Sequence, residues 1–254
     1  MFSSCGGGNR SNSGAAAVAE NEVDIAQKLW TELDLATSLN TLAAKEQQAG
    51  WQLLFDGATF NGWHGYNTPG SIPEDWAIED ACLTANGTGG GESHDIITDG
   101  IYRNFAFTVE YSIMVGANSG IIYHVKEDPK YTFPYETGPE FQLNDDSNRP
   151  EERRLQGVQS HGANYGMYAP SSHPYKLSGE WNRLMLICKD NEVIHIINGV
   201  EVVRFVKYSD EWNELRNSGK WSDFPDYGKF DEGNISLQNH GSKLFFRNIK
   251  IKQL

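Results

Sequence analysis

The stretch from Tyr135 to Asp146, YETGPEFQLNDD, sets one carboxylate and two amides at alternate positions: Glu140, Gln142 and Asn144. Side chains of an extended chain alternate between faces, so these three share one face, while Phe141, Leu143 and Asp145 share the other. A strand that buries Phe141 and Leu143 therefore turns the carboxylate and both amides outward together. Such a row suits either a solvated sheet face or the floor of a polar site, where the carboxylate moves a proton and the amides hold hydroxyl groups.

Other polar side chains interrupt apolar strands in the same way. His124 alternates with Tyr123 and Val125, and Gln238 and His240 alternate with Leu237 and Asn239. Taken singly, each is an ordinary solvated position; together on one sheet they make the polar concave face with which β-sandwiches hold sugars. Trp63, Trp76, Trp212 and Trp221 lie in loop-like stretches beside Gly, Pro and Asp. Exposed, their indoles offer platforms for the C–H faces of a sugar; buried, they pack loops, with WSDFPDYGKF as a lid that fills its own core. His195, amid Val193, Ile194, Ile196 and Ile197, reads as a satisfied histidine on a buried strand.

Several chemistries lack their motifs. GTGGGES, Gly87 to Ser93, has no following Lys-Ser/Thr and no helix, so it reads as a loop rather than a phosphate cradle. There is no G-x-S-x-G elbow and no H-E-x-x-H, and the seven histidines are scattered singly. The net charge of -13 and the absence of a Lys/Arg cluster argue against a nucleic-acid partner. No run of about 18 apolar residues is present to cross a membrane as a helix.

The elements that must position these residues are mostly strands. FAFTVEYSI puts Phe105, Phe107, Val109, Tyr111 and Ile113 on one face, and GIIYHV follows the turn GANSG. RLMLICKDNEVIHIINGVEVVRFV reads as three strands, joined at Asp190-Asn191 and at Asn198-Gly199, the latter a strong hairpin signal. GNISLQ and KLFFRNIKIKQL close the chain. Ahead of them, Val23, Ala26, Leu29, Trp30, Leu33, Ala36 and Leu39 recur at helical spacing, and TLAAKEQQAG suits a second short helix capped by Thr41 and stopped by Gly50. The pattern predicts an all-β fold, an antiparallel β-sandwich or jelly roll, behind an N-terminal helical segment at 21–49. Residues 1–20 read as a leader. Ser3-Ser4-Cys5-Gly6 and the Gly/Ser/Asn stretch after it resemble the end of a bacterial lipoprotein signal and its tether, although the usual preceding apolar stretch is missing. That sets the expectation of a periplasmic or outer-membrane lipoprotein anchored through Cys5, with Cys82 and Cys188 as two buried, unpaired thiols.

In order, AGWQLLFDGATFNGWHGY, NSGIIYHV, TGPEFQLNDD, SGEWN, INGVEVV, PDYGKF and GNISLQNHGSKLFFRNIKIKQL resemble the 3-keto-disaccharide hydrolase family, over residues 50–254. The resemblance implies a concanavalin A-like jelly-roll sandwich and cleavage of glycosides already oxidised at C3 by a separate glucoside 3-dehydrogenase. A C3 ketone acidifies the C2 proton, so one base can form an enolate and expel the C1 substituent, after which water adds; net hydrolysis results. No cofactor is required, though the resemblance leaves room for a divalent metal that supports the enolate. It implies Glu140 as base, or as ligand to that metal, with Gln142 bonding a sugar hydroxyl. His124 is implied as the group that polarises the ketone or protonates the leaving oxygen, although many relatives carry arginine there. Asp145, His161, Gln238 and His240 follow as further contacts, with Trp63 and Tyr123 as substrate-binding aromatics; Asn239 stands where relatives often have Asp. Glu180 to Asn182 reads as structural. The alternatives are a non-catalytic carbohydrate-binding module, a lyase or hydratase performing one half-reaction, or an ordinary glycoside hydrolase; EFQLN lacks the paired carboxylates of the E-x-D-x-E signature.

Overall fold

The computed structural model describes residues 24–36, 38–87, 94–146 and 157–254. Cys5 and the leader lie outside the described residues, as do 88–93 of the glycine-rich loop.

Two short helices come first, α1 (Ile25–Glu32) and α2 (Ala44–Gln48). The strands follow: β1 (Gln52–Leu53), β2 (Trp63–Gly65), β3 (Trp76–Glu79), β4 (Cys82–Asn86), β5 (Ile96–Thr98), β6 (Phe105–Ile113), β7 (Asn118–Val125) and β8 (Glu140–Asn144). After an irregular stretch come β9 (Asn182–Lys189), β10 (Glu192–Ile197) and β11 (Val200–Val206), then helix α3 (Asp210–Arg216), β12 (Asn234–Leu237) and β13 (Lys243–Gln253). One sheet runs β11-β10-β9-β6-β13-β4-β3 with β1 paired to β13, and the second runs β2-β5-β12-β7-β8. Every strand pairing is antiparallel. The fold is the all-β antiparallel sandwich expected from the strand pattern, in the concanavalin A-like jelly-roll form that the family resemblance implied.

The alternation in β6 sets the layers. Phe105, Phe107, Val109, Tyr111 and Ile113 face Ile121, Tyr123, Phe141, Leu143, Ile235 and Leu237 across the sandwich core. Ala106, on the reverse face of β6, joins Met185, Ile187, Ile194 and Ile196 against Ala26, Leu29 and Leu33 around α1, and against Trp51. The larger sheet is therefore apolar on both faces, and the N-terminal segment is its cover. Each fully buried leucine there contributes about 1.5–3 kcal/mol. A buried ion pair fixes the cover: the Lys250 ammonium donates to both Glu46 oxygens at 2.8 and 2.7 Å, and both side chains are fully buried. Burial alone would raise the Glu46 carboxyl, but Lys250 and two backbone amides outweigh it and hold it below its ordinary range.

The two tight turns behave as read: Asp190, Asn191, Asn198 and Gly199 all have positive φ, as type I′ hairpins require. The helices differ from expectation. α1 ends at Glu32, well short of Leu39, because the Glu46 carboxylate takes the Asp34 amide (3.0 Å) that would have continued the helix. α2 is capped at Ala43, not Thr41, with Glu46 accepting from the Ala43 amide at 2.9 Å; Gly50, at φ +90°, is the stop. Helix α3 was not foreseen; it is capped by Ser209 and buries Trp212 against Phe205. Cys82 and Cys188 are free and buried. Asn182 is structural, its amide oxygen accepting from the Lys176 amide and from the Asn198 side chain. No helix among the described residues is long and apolar enough to cross a membrane.

Candidate active site

Strand β8 is bonded along both edges. On one side Glu140 pairs with Ile122 and Gln142 with Gly120 of β7. On the other, the Tyr165 amide donates to the Glu140 carbonyl (3.0 Å), and the Gly162 amide donates to the Gln142 carbonyl (2.8 Å). This fixes the register, and with Phe141 and Leu143 in the core, Glu140 and Gln142 stand on the outer face of the smaller sheet. The face is not solvated: Glu140 is 4% exposed and Gln142 2%. Gly120 makes the room for the carboxyl. A Cβ there would collide with Glu140 Oε1 and lie 2.7 Å from its Cγ. Gly120 sits between two glutamines, because the Gln238 amide donates to its carbonyl at 2.9 Å from the β12 side. The side-chain oxygens of Gln142 and Gln238 are buried and have no partner among the described residues. Acceptors of this kind are matched to the hydroxyl donors of a sugar.

Burial lifts the Glu140 carboxyl to about 8; nearby Lys220 opposes the shift and the Asp95 carboxylate adds to it. Asp95, the residue before β5, is itself lifted to about 7 by burial, against the Asn239 amide that donates to it at 2.8 Å, with Asp75 adding to the rise. Both carboxyls are thus pushed up toward the neutral range, Glu140 above Asp95, although Asp95 itself is only half-buried. Asn239 ties the arrangement together, its side-chain amide donating to Asp75 at 2.9 Å. Asp75 also lines a cleft of about 580 Å³ shared with Tyr66, Ser71, Asn86 and His94. Close enough for its charge to act on Glu140 stands a residue that the sequence reading did not single out, Asp95. It lies outside any alternating strand pattern, and only the folded sheet brings it to this face.

The remaining expected residues separate into those near Glu140 and those elsewhere. His240 is exposed in the turn after Gln238 and Asn239. His124 does not join Glu140. Its φ of +54° accompanies a bulge in the β7–β12 ladder, which turns both Tyr123 and His124 inward. There His124 packs edge-on to Phe105, meets the Arg103 carbonyl at 2.9 Å, and lines a 220 Å³ cavity with Cys188 and Lys207. Burial and the Lys207 charge pull it down to about 3, so it stays neutral. Tyr123 is fully buried in the core and makes no surface contact. His161 is likewise buried, bonded through Nε2 to the Tyr111 hydroxyl (2.7 Å) and through Nδ1 to the Asn144 backbone. Asp145 holds the turn before β7, accepting from the Gly116 amide at 2.6 Å and from the Ser178 hydroxyl. Trp63 is a core residue whose Nε1–H donates to the Leu54 carbonyl at 2.7 Å, and Trp76, Trp212 and Trp221 are buried too. None of the four indoles is a free platform. His195 stacks on Phe141 at 4.0 Å and meets the Gly162 carbonyl, as a packing histidine should. Among the described residues no group of three or more His, Cys, Asp or Glu is placed to hold a metal ion.

Comparison with known proteins agrees with this architecture. The profile of a family described as the 3-keto-alpha-glucoside-1,2-lyase-like domain matches residues 50–252. A 3-keto-disaccharide hydrolase of Bacteroides thetaiotaomicron is 29% identical, over 99% of this chain and 93% of the relative. Two crystal structures from Parabacteroides distasonis, both provisionally named glycosyl hydrolases, superpose on it. One has a TM-score of 0.78 at 42% identity, covering 85% of this chain and all (100%) of the other. The second has a TM-score of 0.60 at 25% identity, covering 80% of this chain and 99% of the other. With some four-fifths of its length matched by the family profile, the chain belongs to the 3-keto-alpha-glucoside-1,2-lyase-like family.

Proposed function

We propose that this protein cleaves the glycosidic bond of 3-keto-glycosides, 3-keto-disaccharides among them, by elimination followed by hydration. One carboxylate of the Glu140–Asp95 pair removes the C2 proton. The C–H electrons move into the C2–C3 bond, and the carbonyl electrons pass to the C3 oxygen as an enolate. Collapse of the enolate forms the C1–C2 double bond and expels the C1 oxygen, which takes its proton from the protonated partner. Water then adds its oxygen at C1 and a proton at C2, giving the free 3-keto sugar. Gln142 and Gln238 accept from sugar hydroxyls, and the cleft beside Asp75 has room for the leaving group. A dehydrogenase that oxidises the C3 hydroxyl must supply the substrate. Anchoring through Cys5 would place the reaction in the bacterial envelope.

The single observation behind this reading is the buried Glu140 carboxyl, 4% exposed against Gly120 and on the same sheet as the unpartnered side-chain oxygens of Gln142 and Gln238. An ordinary glycosidase develops positive charge at C1 and depends on an ionised carboxylate beside it. Here both carboxyls are held near 7–8, matched to proton transfer at neutral pH and poorly suited to standing as a fixed negative charge. The test is incubation with a 3-keto-disaccharide and with the same disaccharide unoxidised, following release of the second sugar. Release from the keto substrate alone supports the reading. Saturable binding of both without release would make the protein a carbohydrate-binding module. Accumulation of the unsaturated ketone would make it a lyase for the first half-reaction only.

A further inference from the structure

Lys220 lies in a 3-10 turn, Gly219–Asp223, near enough for its charge to act on Glu140. Its ammonium stands over three aromatic faces, 4.5 Å from the ring centre of Tyr135, 4.8 Å from Tyr165 and 4.6 Å from Trp221. The cage is tied to β8. The Trp221 Nε1–H donates to the Tyr165 carbonyl at 3.0 Å, and the Tyr165 amide donates to the Glu140 carbonyl at 3.0 Å. Behind it, Trp221 is 1% exposed, stacked on Tyr227 at 3.8 Å. Gly166 holds that indole closely: a Cβ at Gly166 would lie 2.7 Å from Trp221 Nε1. The rings hold the lysine through its charge and occupy none of its N–H groups. Cation–π contacts fix a charge without using its hydrogen-bond donors.

The cation is the wrong sign for one chemistry and the right sign for another. A positive charge here opposes an oxocarbenium ion at C1 and stabilises an enolate oxygen at C3. From the cage geometry we infer that Lys220 is a catalytic residue: its ammonium donates a hydrogen bond to the C3 oxygen of the bound sugar, polarising the ketone and stabilising the enolate. This rests on the 3-keto reading above. The contact is non-covalent: no bond to nitrogen forms or breaks, and its proton stays on nitrogen while the C2–H electrons form the C2–C3 double bond and the carbonyl electrons pass to the C3 oxygen.

The test compares wild type with Lys220→Met and Lys220→Arg on two probes. One is an aryl 3-keto-glucoside, which reads cleavage. The other is a 3-keto-1,5-anhydro sugar, which has no leaving group at C1, so that C2–H exchange with D2O, followed by NMR, reads enolisation alone. Loss of a donor to a developing oxyanion costs about 100-fold or more in rate. Lys220→Met is expected to lower both cleavage and C2 exchange by about that factor, with KM changed by much less. Lys220→Arg, which keeps the charge but cannot form an imine, should recover part of both rates. Borohydride added to wild type with the anhydro ketone should leave the chain mass unchanged. Exchange in Lys220→Met within about threefold of wild type would overturn the assignment, and so would a reduced adduct on Lys220. Failure of wild type itself to exchange or cleave would instead remove the 3-keto reading and the role of Lys220 with it. Circular dichroism melts confirm that both variants of this accessible side chain are folded.

Discussion

Replacing Glu140 by Gln should make the protein more stable, by an amount that grows with pH. The Glu140 carboxyl titrates at about 8 in the folded chain, against an ordinary value of 4.5, chiefly because burial penalises its charged form. Since the folded pKa lies above the unfolded one, the folded state holds the proton more tightly. Its contribution to stability is complete below about 4.5 and is lost as pH rises through about 8. Each tenfold step between the two values is worth about 1.4 kcal/mol. The deficit relative to glutamine should then be about 1 kcal/mol at pH 5.5, about 3 kcal/mol at pH 7 and close to its limit of about 5 kcal/mol at pH 9. For a domain of this size about 3 kcal/mol corresponds to roughly 6–12 °C in Tm. Thermal melts of both proteins from pH 5.5 to 9 read the gap, and titrating groups that do not act on Glu140 cancel in the difference. A gap that stayed flat with pH, or a variant less stable than wild type at pH 8, would refute the claim that Glu140 is buried and proton-binding on this face.

Gly120→Ala should displace the Glu140 carboxyl, because its new Cβ would collide with Oε1 and approach Cδ to 2.9 Å. A misplacement of about 1 Å at a reacting group costs on the order of 100-fold, so kcat should fall by about that factor in a protein that still folds; unchanged kcat would contradict the placement. The pH dependence of kcat/KM should be bell-shaped, with a maximum between 7 and 8 and limbs that belong to the Glu140–Asp95 pair together. A profile that stays flat from pH 5 to 9 would count against paired proton transfer. Glu46→Ala leaves the Lys250 ammonium buried without its partner and should cost about 3–5 kcal/mol of stability. Because the pair lies under the N-terminal cover, kcat at temperatures where the variant is folded should not change.

Much of the scaffold was legible because strand periodicity is a local property. The alternation in FAFTVEYSI and EFQLN gave β6 and β8 and the faces of their side chains, and Asn198-Gly199 gave a hairpin with the required positive φ. The same alternation failed at His124, where one bulge residue with positive φ reversed the face that counting assigned. Trp63 looked loop-bound in sequence, yet it fills the core, since burying an indole with its N–H bonded to a carbonyl costs little. His161 and Asp145 were implied as contacts by the family resemblance, but each spends its polar atoms on backbone and neighbouring hydroxyls. Asp95 and Lys220 carried no local signal at all. One precedes a three-residue strand and the other sits in an irregular turn, and their charges act on Glu140 only through the folding of distant segments. Glu140 was legible as a polar position on β8, but the depth of its burial and the charges around it were matters of tertiary structure.

The central claim is that cleavage proceeds by removal of the C2 proton. Its most direct test is to let the protein cleave a 3-keto-disaccharide in D2O and examine the released 3-keto sugar by NMR at early times, beside a free 3-keto sugar incubated without protein. Elimination and hydration predict deuterium at C2 of the product well above that background. Release of a product that retains its C2 protium would show direct displacement at C1 and contradict the account.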